Sequence, residues 1–182
     1  MFERYTERAR RVIFFARYEA SAYGSPTIET EHFLLGLVRE DKNLIDRFLK
    51  SPAEAIRERV EKHITIQPKI STSENLPLTD ECKRILAHAN EEAERLAHGH
   101  IGTEHLLLGI LRETHCLAAR LLVEAGIQLE PTRAELSGSL AARGTPSDTD
   151  LRAADRASLH ALVDRLPESA LGRALWMLDQ LL

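Results

Sequence analysis

Residues 28–40 read IETEHFLLGLVRE, and residues 101–113 read IGTEHLLLGILRE. The two segments lie 73 positions apart and are identical at nine of their thirteen positions. The same offset pairs further identical or similar residues: Thr6 with Thr79, Val12 with Ile85, Ala16 with Ala89, Ala20 with Ala93 and Arg47 with Arg120. A match at one fixed offset is the sequence signature of an internal repeat. The chain therefore contains two copies of one unit of about 70 residues.

Each copy has the apolar periodicity of helices and lacks a convincing alternating strand pattern. In the first copy, Thr6 suits the N-cap of a long helix and Gly24 suits its C-terminal stop. Thr30 is predicted to cap a second helix, and Pro52 suits the start of a fourth. The predicted helices after the first are 31–39, 44–49 and 52–63 in copy one, and 79–98, 103–112, 116–124 and 131–142 in copy two. The fold class predicted from these patterns is all-α, with four helices in each copy.

The segmentation follows from composition. Repeat one is assigned to residues 1–63 and repeat two to residues 77–142, within one domain of residues 1–142. Residues 143–150, RGTPSDTD, have the composition of a linker. Residues 151–182 carry two leucine-rich stripes separated by Pro167, which predicts a two-helix hairpin. Such a hairpin cannot bury both stripes alone, so we expect it to dock on the repeats or to form a homodimer.

Composition excludes several classes of protein. The formal net charge is -4, so no strongly basic surface is forced and a nucleic-acid partner is not expected. The N-terminus is charged from its third residue, and the apolar runs are far too short to span a membrane. With only two cysteines, Cys82 and Cys116, no disulfide framework is possible. These features predict a cytoplasmic protein without a membrane partner.

The duplicated pattern resembles the Clp N-terminal domain, in particular that of the ClpC-type AAA+ unfoldases. The opening residues 2–9, FERYTERA, look like the start of that domain, and the T-E-H-[FL]-L-L-G blocks at 30–36 and 103–109 look like its internal signature. The resemblance covers residues 1–142 and implies two pseudo-symmetric four-helix repeats. It also implies a non-enzymatic protein-binding module whose partners are Clp unfoldase or protease components, adaptors or tagged substrate proteins. The chain has no G-x-x-x-x-G-K-[ST] loop, so we interpret it as a free-standing domain without ATPase modules.

Some ClpC-type domains bind phosphoarginine, which needs a carboxylate for its guanidinium and hydrogen-bond donors for its phosphoryl group. The resemblance assigns Glu31 and Glu104 to the guanidinium. The starts of the long helices at Thr6 and Thr79 offer N–H groups and a helix dipole to the phosphate. Site one is predicted as Arg4, Thr6, Arg8 and Glu31, with the two arginines adding positive charge.

Site two, Thr79 and Glu104, is predicted to be weak. Arg4 and Arg8 align with Pro77 and Glu81 there, so both positive charges are missing. The alternative interpretation is purely structural, because threonine at an N-cap and glutamate in a first turn stabilise any helix.

The remaining candidate residues are aromatic residues, histidines and a cysteine. Phe14 and Tyr18 share a helix face and have no aromatic equivalent in the second copy, so they are either extra core or part of a partner surface with Phe2, Trp176 and Met177. The recurring His32 and His105 are read as helix-junction residues, since metal-ligand spacing is not met and no metal or cofactor is predicted. Cys82 is read as a buried structural thiol.

Two functions outside the enzymes remain open. The first is an accessory or decoy factor in Clp-dependent proteolysis, and the sequence does not separate delivery of substrates from their sequestration. The second is a dimeric regulatory scaffold whose repeats bind a ligand or partner unrelated to Clp. An enzyme is not predicted, because a nucleophile–base pair, a metal set and a phosphate loop are all missing from the sequence.

Overall fold

The computed structural model describes residues 3–49, 53–71 and 76–141, and for residues 139–141 it describes the backbone alone. Residues Glu3–Ser139 form one compact unit. The predicted linker at 143–150 and the predicted hairpin at 151–182 lie outside the described residues.

The described residues form eight helices, four in each copy of the repeat. They are α1 Glu7–Tyr23, α2 Thr30–Glu40, α3 Lys42–Phe48, α4 Glu54–Glu61, α5 Asp80–Arg95, α6 Thr103–Arg112, α7 Leu117–Glu124 and α8 Leu129–Ala141. Within these residues, β structure is limited to two isolated parallel bridges. The predicted all-α architecture of two four-helix repeats is therefore confirmed, with boundaries that differ from the prediction by a few residues.

The long first helix of each copy begins as the sequence predicts. The Thr6 side chain accepts a hydrogen bond from the Ala9 N–H at 3.2 Å, and the Thr79 side chain accepts one from the Cys82 N–H at 3.4 Å. At the other end of α1, Gly24 has φ 75°, the left-handed conformation that glycine adopts without penalty.

Helix α2 begins one residue earlier than predicted, and α6 begins at Thr103 as predicted. Their N-caps are Glu29 and Gly102, so Thr30 is the first helical residue and not the cap. The residue that closes the cap is the histidine three positions on: His32 Nδ1 accepts from the Glu29 N–H at 3.1 Å. Glutamine or glutamate usually has this role in a capping box, and here an imidazole nitrogen supplies the acceptor.

Helices α2 and α6 form the centre of the core. Their largest fully buried side chains are Phe33, Leu34, Leu35 and Leu37 in α2, and Leu106, Leu107, Leu108 and Ile110 in α6. A helix that is apolar on nearly every face must be surrounded by other helices, which explains why α1 and α5 pack along them. Two equivalent ion pairs connect the long helices to the ends of α2 and α6. Arg11 contacts Glu40 at 2.7 Å, and Arg84 contacts Glu113 at 3.0 Å.

No helix among those of the described segments is long and apolar enough to cross a lipid bilayer.

Candidate functional site

The two copies are joined by an exchange of backbone hydrogen bonds between helix starts. The Thr6 N–H donates to the carbonyl of Ile101 at 2.9 Å, and the Ile101 N–H donates to the carbonyl of Arg4 at 2.7 Å. The equivalent residues repeat the exchange, with Thr79 bonded to Ile28 at 3.1 Å and Ile28 bonded to Pro77 at 2.8 Å. Each long helix therefore starts beside the T-E-H helix of the other copy.

We call these two contacts the Thr6 junction, residues 4–8 with 101–104, and the Thr79 junction, residues 77–81 with 28–31. The predicted site one combined Arg4, Thr6 and Arg8 with Glu31, but the backbone of Arg4 and Thr6 bonds to Ile101, just before α6, and the charge of Arg8 acts on Glu104. Glu31 lies at the Thr79 junction, where its charge acts on Cys82 in the first turn of α5. The predicted grouping is thus corrected: the glutamates exchange partners between the two sites.

The Thr6 junction combines positive charge, free donors and a carboxylate. The Thr6 hydroxyl caps Ala9, which leaves the N–H groups of Glu7 and Arg8 as first-turn donors that this cap does not use. The Arg8 guanidinium contacts Asp41 at 3.0 Å and Glu40 at 3.3 Å, and Asp41 accepts a hydrogen bond from the Thr103 hydroxyl at 2.7 Å.

Glu104 lies next to this group and is 28% exposed at its side chain. Burial and the charge of Asp41 raise the pKa of Glu104, whereas the nearby charge of Arg8 opposes that shift. The glycine at 102 leaves room for this carboxylate, since a Cβ there would collide with the Glu104 carboxyl group.

Arg4 takes part in the Thr6 junction through its backbone carbonyl. Its guanidinium points along α5, where it donates to Asn90 at 2.9 Å and contacts Glu94 at 3.2 Å.

The Thr79 junction is acidic. Glu31 is only 7% exposed, and its carboxylate accepts a hydrogen bond from the Thr30 hydroxyl at 3.2 Å. Burial raises the pKa of Glu31, and the neighbouring Glu29 raises it further. Asp80 and Glu81 occupy the first turn of α5, and their charges are met at the surface by Lys83 and Arg84. The N–H groups that a phosphate would approach are therefore surrounded by carboxylates.

His105 caps α6 through a fixed hydrogen-bond chain. Its Nδ1 accepts from the Gly102 N–H at 2.8 Å, so the proton of the neutral ring is on Nε2, which donates to His98 Nδ1 at 2.7 Å. His98, Glu104 and His105 offer ligand atoms within 4.8 Å of one another. Both ring nitrogens of His105 are already used, however, so the neutral ring has no lone pair to offer a metal ion. We assign this cluster to helix capping.

The same cap predicts a pH dependence of stability. Burial lowers the pKa of His105 to about 4, and the positive charges of His98 and Arg4 act in the same direction. The unfolded chain binds the proton with a pKa of about 6.5, so the folded state loses stability as the pH falls through the window between these values. We expect His105 to contribute a drop of about 2 kcal/mol to the free energy of unfolding between about pH 7.5 and pH 5, measured by urea denaturation as the difference from a variant without this group.

The variant His105→Gln is the control for this pH effect. Glutamine at that position can still accept from the Gly102 N–H but does not titrate. Its unfolding free energy should fall less steeply over the same pH range than that of the wild type. An identical slope in both proteins would show that His105 is not the titrating group.

The predicted partner-surface residues are only partly described. Phe14 is half-buried and meets Phe15 edge-to-face with ring centroids 5.6 Å apart. Tyr18 is 37% exposed and lies under the Arg39 guanidinium, 4.7 Å from the ring centroid. Phe2, Trp176 and Met177 lie outside the described residues, so their role in a partner surface stays a prediction.

The two thiols are buried and unreactive in this fold. Burial raises the pKa of the Cys82 thiol to about 12 and also raises the pKa of Cys116. Both thiols are therefore protonated at neutral pH, whereas a nucleophilic cysteine needs its thiolate.

Comparison with known proteins identifies the repeat. Residues 4–141 match the family model described as "Clp repeat (R) N-terminal domain". The chain is 37% identical over 150 residues to "Negative regulator of genetic competence ClpC/MecB" of Bacillus subtilis, which covers 81% of this chain and 18% of that protein. It is 38% identical over 141 residues to "Chaperone protein ClpB" of Oceanobacillus iheyensis, with 75% and 17% covered. The chain thus spans less than a fifth of the length of these curated relatives.

Solved structures agree with the fold. The N-terminal domain of the chaperone ClpD from Arabidopsis thaliana superposes with a TM-score of 0.63 at 29% identity, covering 77% of this chain and 99% of that domain. The Hsp104 N-terminal domain from Candida albicans gives a TM-score of 0.60 at 19% identity, covering 79% and 94%, a likeness of fold alone.

Proposed function

The chain belongs to the Clp repeat N-terminal domain family, and from that premise we propose that it is a non-enzymatic binding module for proteins destined for Clp-dependent proteolysis. Its ligand in this proposal is the phosphoarginine side chain of a marked protein, bound at the Thr6 junction. Its partners are Clp unfoldase or protease components, their adaptors or the marked substrates themselves.

One observation carries the proposal: the crossed hydrogen bonds place the N-terminus of α1 beside Glu104. Phosphoarginine joins a negative phosphoryl group directly to a positive guanidinium, so a site needs opposite charges within a few ångströms. The N–H groups of Glu7 and Arg8, the helix dipole and the Arg8 side chain favour the phosphate. The Glu104 carboxylate favours the guanidinium, and a bound cation would offset the burial that now raises its pKa.

The Thr79 junction supports the ligand less well. Its carboxylate, Glu31, is nearly buried and already lies against Glu29. The two first-turn residues, Asp80 and Glu81, add negative charge where the phosphate would lie. We therefore propose one dominant site that contains Glu104, with Glu31 in the weak site.

The test is a calorimetric titration of free phosphoarginine into the purified chain, with Glu104→Gln and Glu31→Gln as a matched pair. The two glutamates follow the first residue of equivalent helices, so the two substitutions are structurally equivalent. Glu104→Gln should weaken binding at least about tenfold, because it removes a charge-assisted hydrogen bond to the guanidinium. Glu31→Gln should change the affinity less than about twofold.

The proposal fails if the wild-type chain does not bind at millimolar phosphoarginine, or if Glu31→Gln abolishes binding while Glu104→Gln does not. Arg8→Gln adds an independent test of the phosphate side. Its effect should be seen with phosphoarginine and should be absent with free arginine, which has no phosphate to lose.

Delivery and sequestration would both use this site, and they differ in what a Clp protease does with the bound protein. An accessory factor would speed degradation of an arginine-phosphorylated substrate, and a decoy would slow it. The regulatory-scaffold alternative depends on the hairpin at 151–182, which lies outside the described residues.

A further inference from the structure

A buried glutamate occupies equivalent positions in the two copies, but the arginines around it have different further partners. Glu92 in α5 is fully buried and contacts Arg112 at 3.3 Å and Arg133 at 2.8 Å. These two arginines also pair with exposed carboxylates, Glu91 for Arg112 at 2.6 Å and Glu130 for Arg133. In the second copy, two guanidinium groups thus meet three carboxylates.

In the first copy, the position equivalent to Glu92 is Glu19 in α1. Glu19 contacts Arg39 at 3.3 Å and Arg57 at 2.9 Å. The positions that correspond by the 73-residue offset to Glu91 and Glu130 are occupied by Tyr18 and by Arg57 itself. The two guanidinium groups therefore share one carboxylate, Glu19, in their direct ion pairs among the described residues.

One aromatic residue, Tyr18, stands where the second copy has a carboxylate, and two further aromatic residues contact the arginines. The Arg39 guanidinium lies 4.7 Å from the ring centroids of both Phe15 and Tyr18. Arg57 donates to the Tyr23 hydroxyl at 2.9 Å, and that hydroxyl donates in turn to Glu61 at 2.7 Å. Rings hold a guanidinium in place through cation–π attraction but do not neutralise its charge.

The two arginines open onto a cleft between α2 and α4. The cleft has a volume of about 290 Å³ and is lined by Val38, Arg39, Lys42, Ala53, Glu54 and Arg57. The side chains of Arg39 and Arg57 are 40% and 38% exposed, so a ligand in the cleft can reach them. Lys42 and Glu54 form an ion pair with each other at the rim.

We propose that this Arg39–Arg57 cleft binds glutamate or aspartate side chains of an acidic segment in a partner protein. The second copy shows that the chemistry fits, because Glu91 places a carboxylate on Arg112, the equivalent of Arg39, within this same chain. The planar fork of a guanidinium matches a carboxylate, and the cleft has room for one or two side chains. The chain as a whole carries a net charge of -4, so its overall charge repels an acidic peptide and any binding must be local.

The test uses a fluorescein-labelled peptide of about eight glutamates between serine-glycine flanks, with fluorescence anisotropy as the readout. Arg39→Gln and its equivalent Arg112→Gln each remove one positive charge, and each leaves the buried glutamate another arginine. Arg39→Gln should weaken binding about tenfold, the loss expected for one charge-assisted contact. Arg112→Gln should change the affinity less than about twofold.

A third variant, Tyr18→Glu, gives the first copy the carboxylate that the second copy has at position 91. Tyr18 lies at the surface, so the change should preserve the fold, to be checked by thermal unfolding. It should reduce peptide binding about tenfold or more by supplying Arg39 with an internal partner.

Three results would overturn the proposal. They are equal losses for Arg39→Gln and Arg112→Gln, which would indicate a diffuse charge effect; unchanged binding by a folded Tyr18→Glu protein; and no binding of the peptide by the wild type at low salt. Phosphoarginine binding at the Thr6 junction should be unaffected by Arg39→Gln, so the two proposals can fail independently.

Discussion

Arg133→Ala is expected to lower the free energy of unfolding by about 3 kcal/mol, since it removes one partner of a buried ion pair. Arg133 on α8 donates to both carboxylate oxygens of Glu92 at 2.8 Å. Burial alone would raise the pKa of Glu92, but these hydrogen bonds and the charge of Arg112 hold it below its ordinary value. After the substitution, Arg112 is the remaining ion-pair partner of that carboxylate among the described residues, at 3.3 Å. The measurement is urea denaturation near pH 7.

The pH dependence separates lost charge pairing from lost packing. In the variant, Glu92 is a poorly compensated buried carboxylate whose pKa should rise, and a protonated glutamic acid tolerates burial better. The difference in unfolding free energy between wild type and Arg133→Ala should therefore shrink as the pH falls from about 7 towards 4.5. A difference that stays constant over this range would assign the whole effect to packing.

Glu135→Ala is the control on the same helix. It breaks an ion pair to Arg47 in which both side chains are well exposed, 36% and 49%. Exposed pairs contribute less than about 1 kcal/mol, so this variant should be nearly as stable as the wild type. Equal losses for Arg133→Ala and Glu135→Ala would contradict the argument from burial.

The repeat and its helices could be predicted from sequence because each depends on local information. Thr6 and Thr79 cap their helices as expected, and Gly24 has the left-handed conformation that its position implied. The cap of α2 was misplaced by one residue, because the histidine at the third helical position replaces the usual glutamate or glutamine as acceptor. In related sequences, a histidine three positions after a candidate N-cap can be counted as the acceptor of a capping box.

The grouping of the site residues could not be predicted in the same way. An offset of 73 shows which residues are equivalent, but it does not show which helix of one copy contacts which helix of the other. The backbone hydrogen bonds between Thr6 and Ile101 and between Thr79 and Ile28 are tertiary contacts between the copies. No local sequence pattern encodes them. By contrast, the offset does pair Glu19 with Glu92 and Arg39 with Arg112, so the ion pair of one copy predicts the ion pair of the other.

The T-E-H-[FL]-L-L-G block can now be separated into structural and candidate binding parts. The histidine caps its helix, the leucines fill the core and the glycine allows a close helix contact. The threonine hydroxyls form hydrogen bonds of their own, and burial raises the pKa of both glutamates, Glu31 and Glu104. A carboxylate whose surroundings disfavour its charged form is a candidate for binding a cation.

Gly36→Ala is expected to be the second strongly destabilising change, by up to about 3 kcal/mol. A Cβ at Gly36 would lie 2.5 Å from the carbonyl oxygen of Val12 and 2.7 Å from the backbone nitrogen of Ala16. Both obstacles belong to the backbone of α1, so no side chain can rotate away and the two helices must separate. Separation would open gaps around Phe33 and Leu37, which are fully buried beside this contact.

Gly138→Ala is the matched control, because Gly138 also lies inside a helix but a Cβ there meets nothing within 4 Å. Alanine favours helix over glycine by about 1 kcal/mol, so this variant should be as stable as the wild type or more stable. Gly109→Ala tests the second copy, where the Cβ would lie 2.5 Å from the carbonyl oxygen of Ile85. We expect it to behave like Gly36→Ala in thermal and urea unfolding. If both core variants instead gained stability as Gly138→Ala should, the helices would be free to adjust and the recurring glycine would have no packing role.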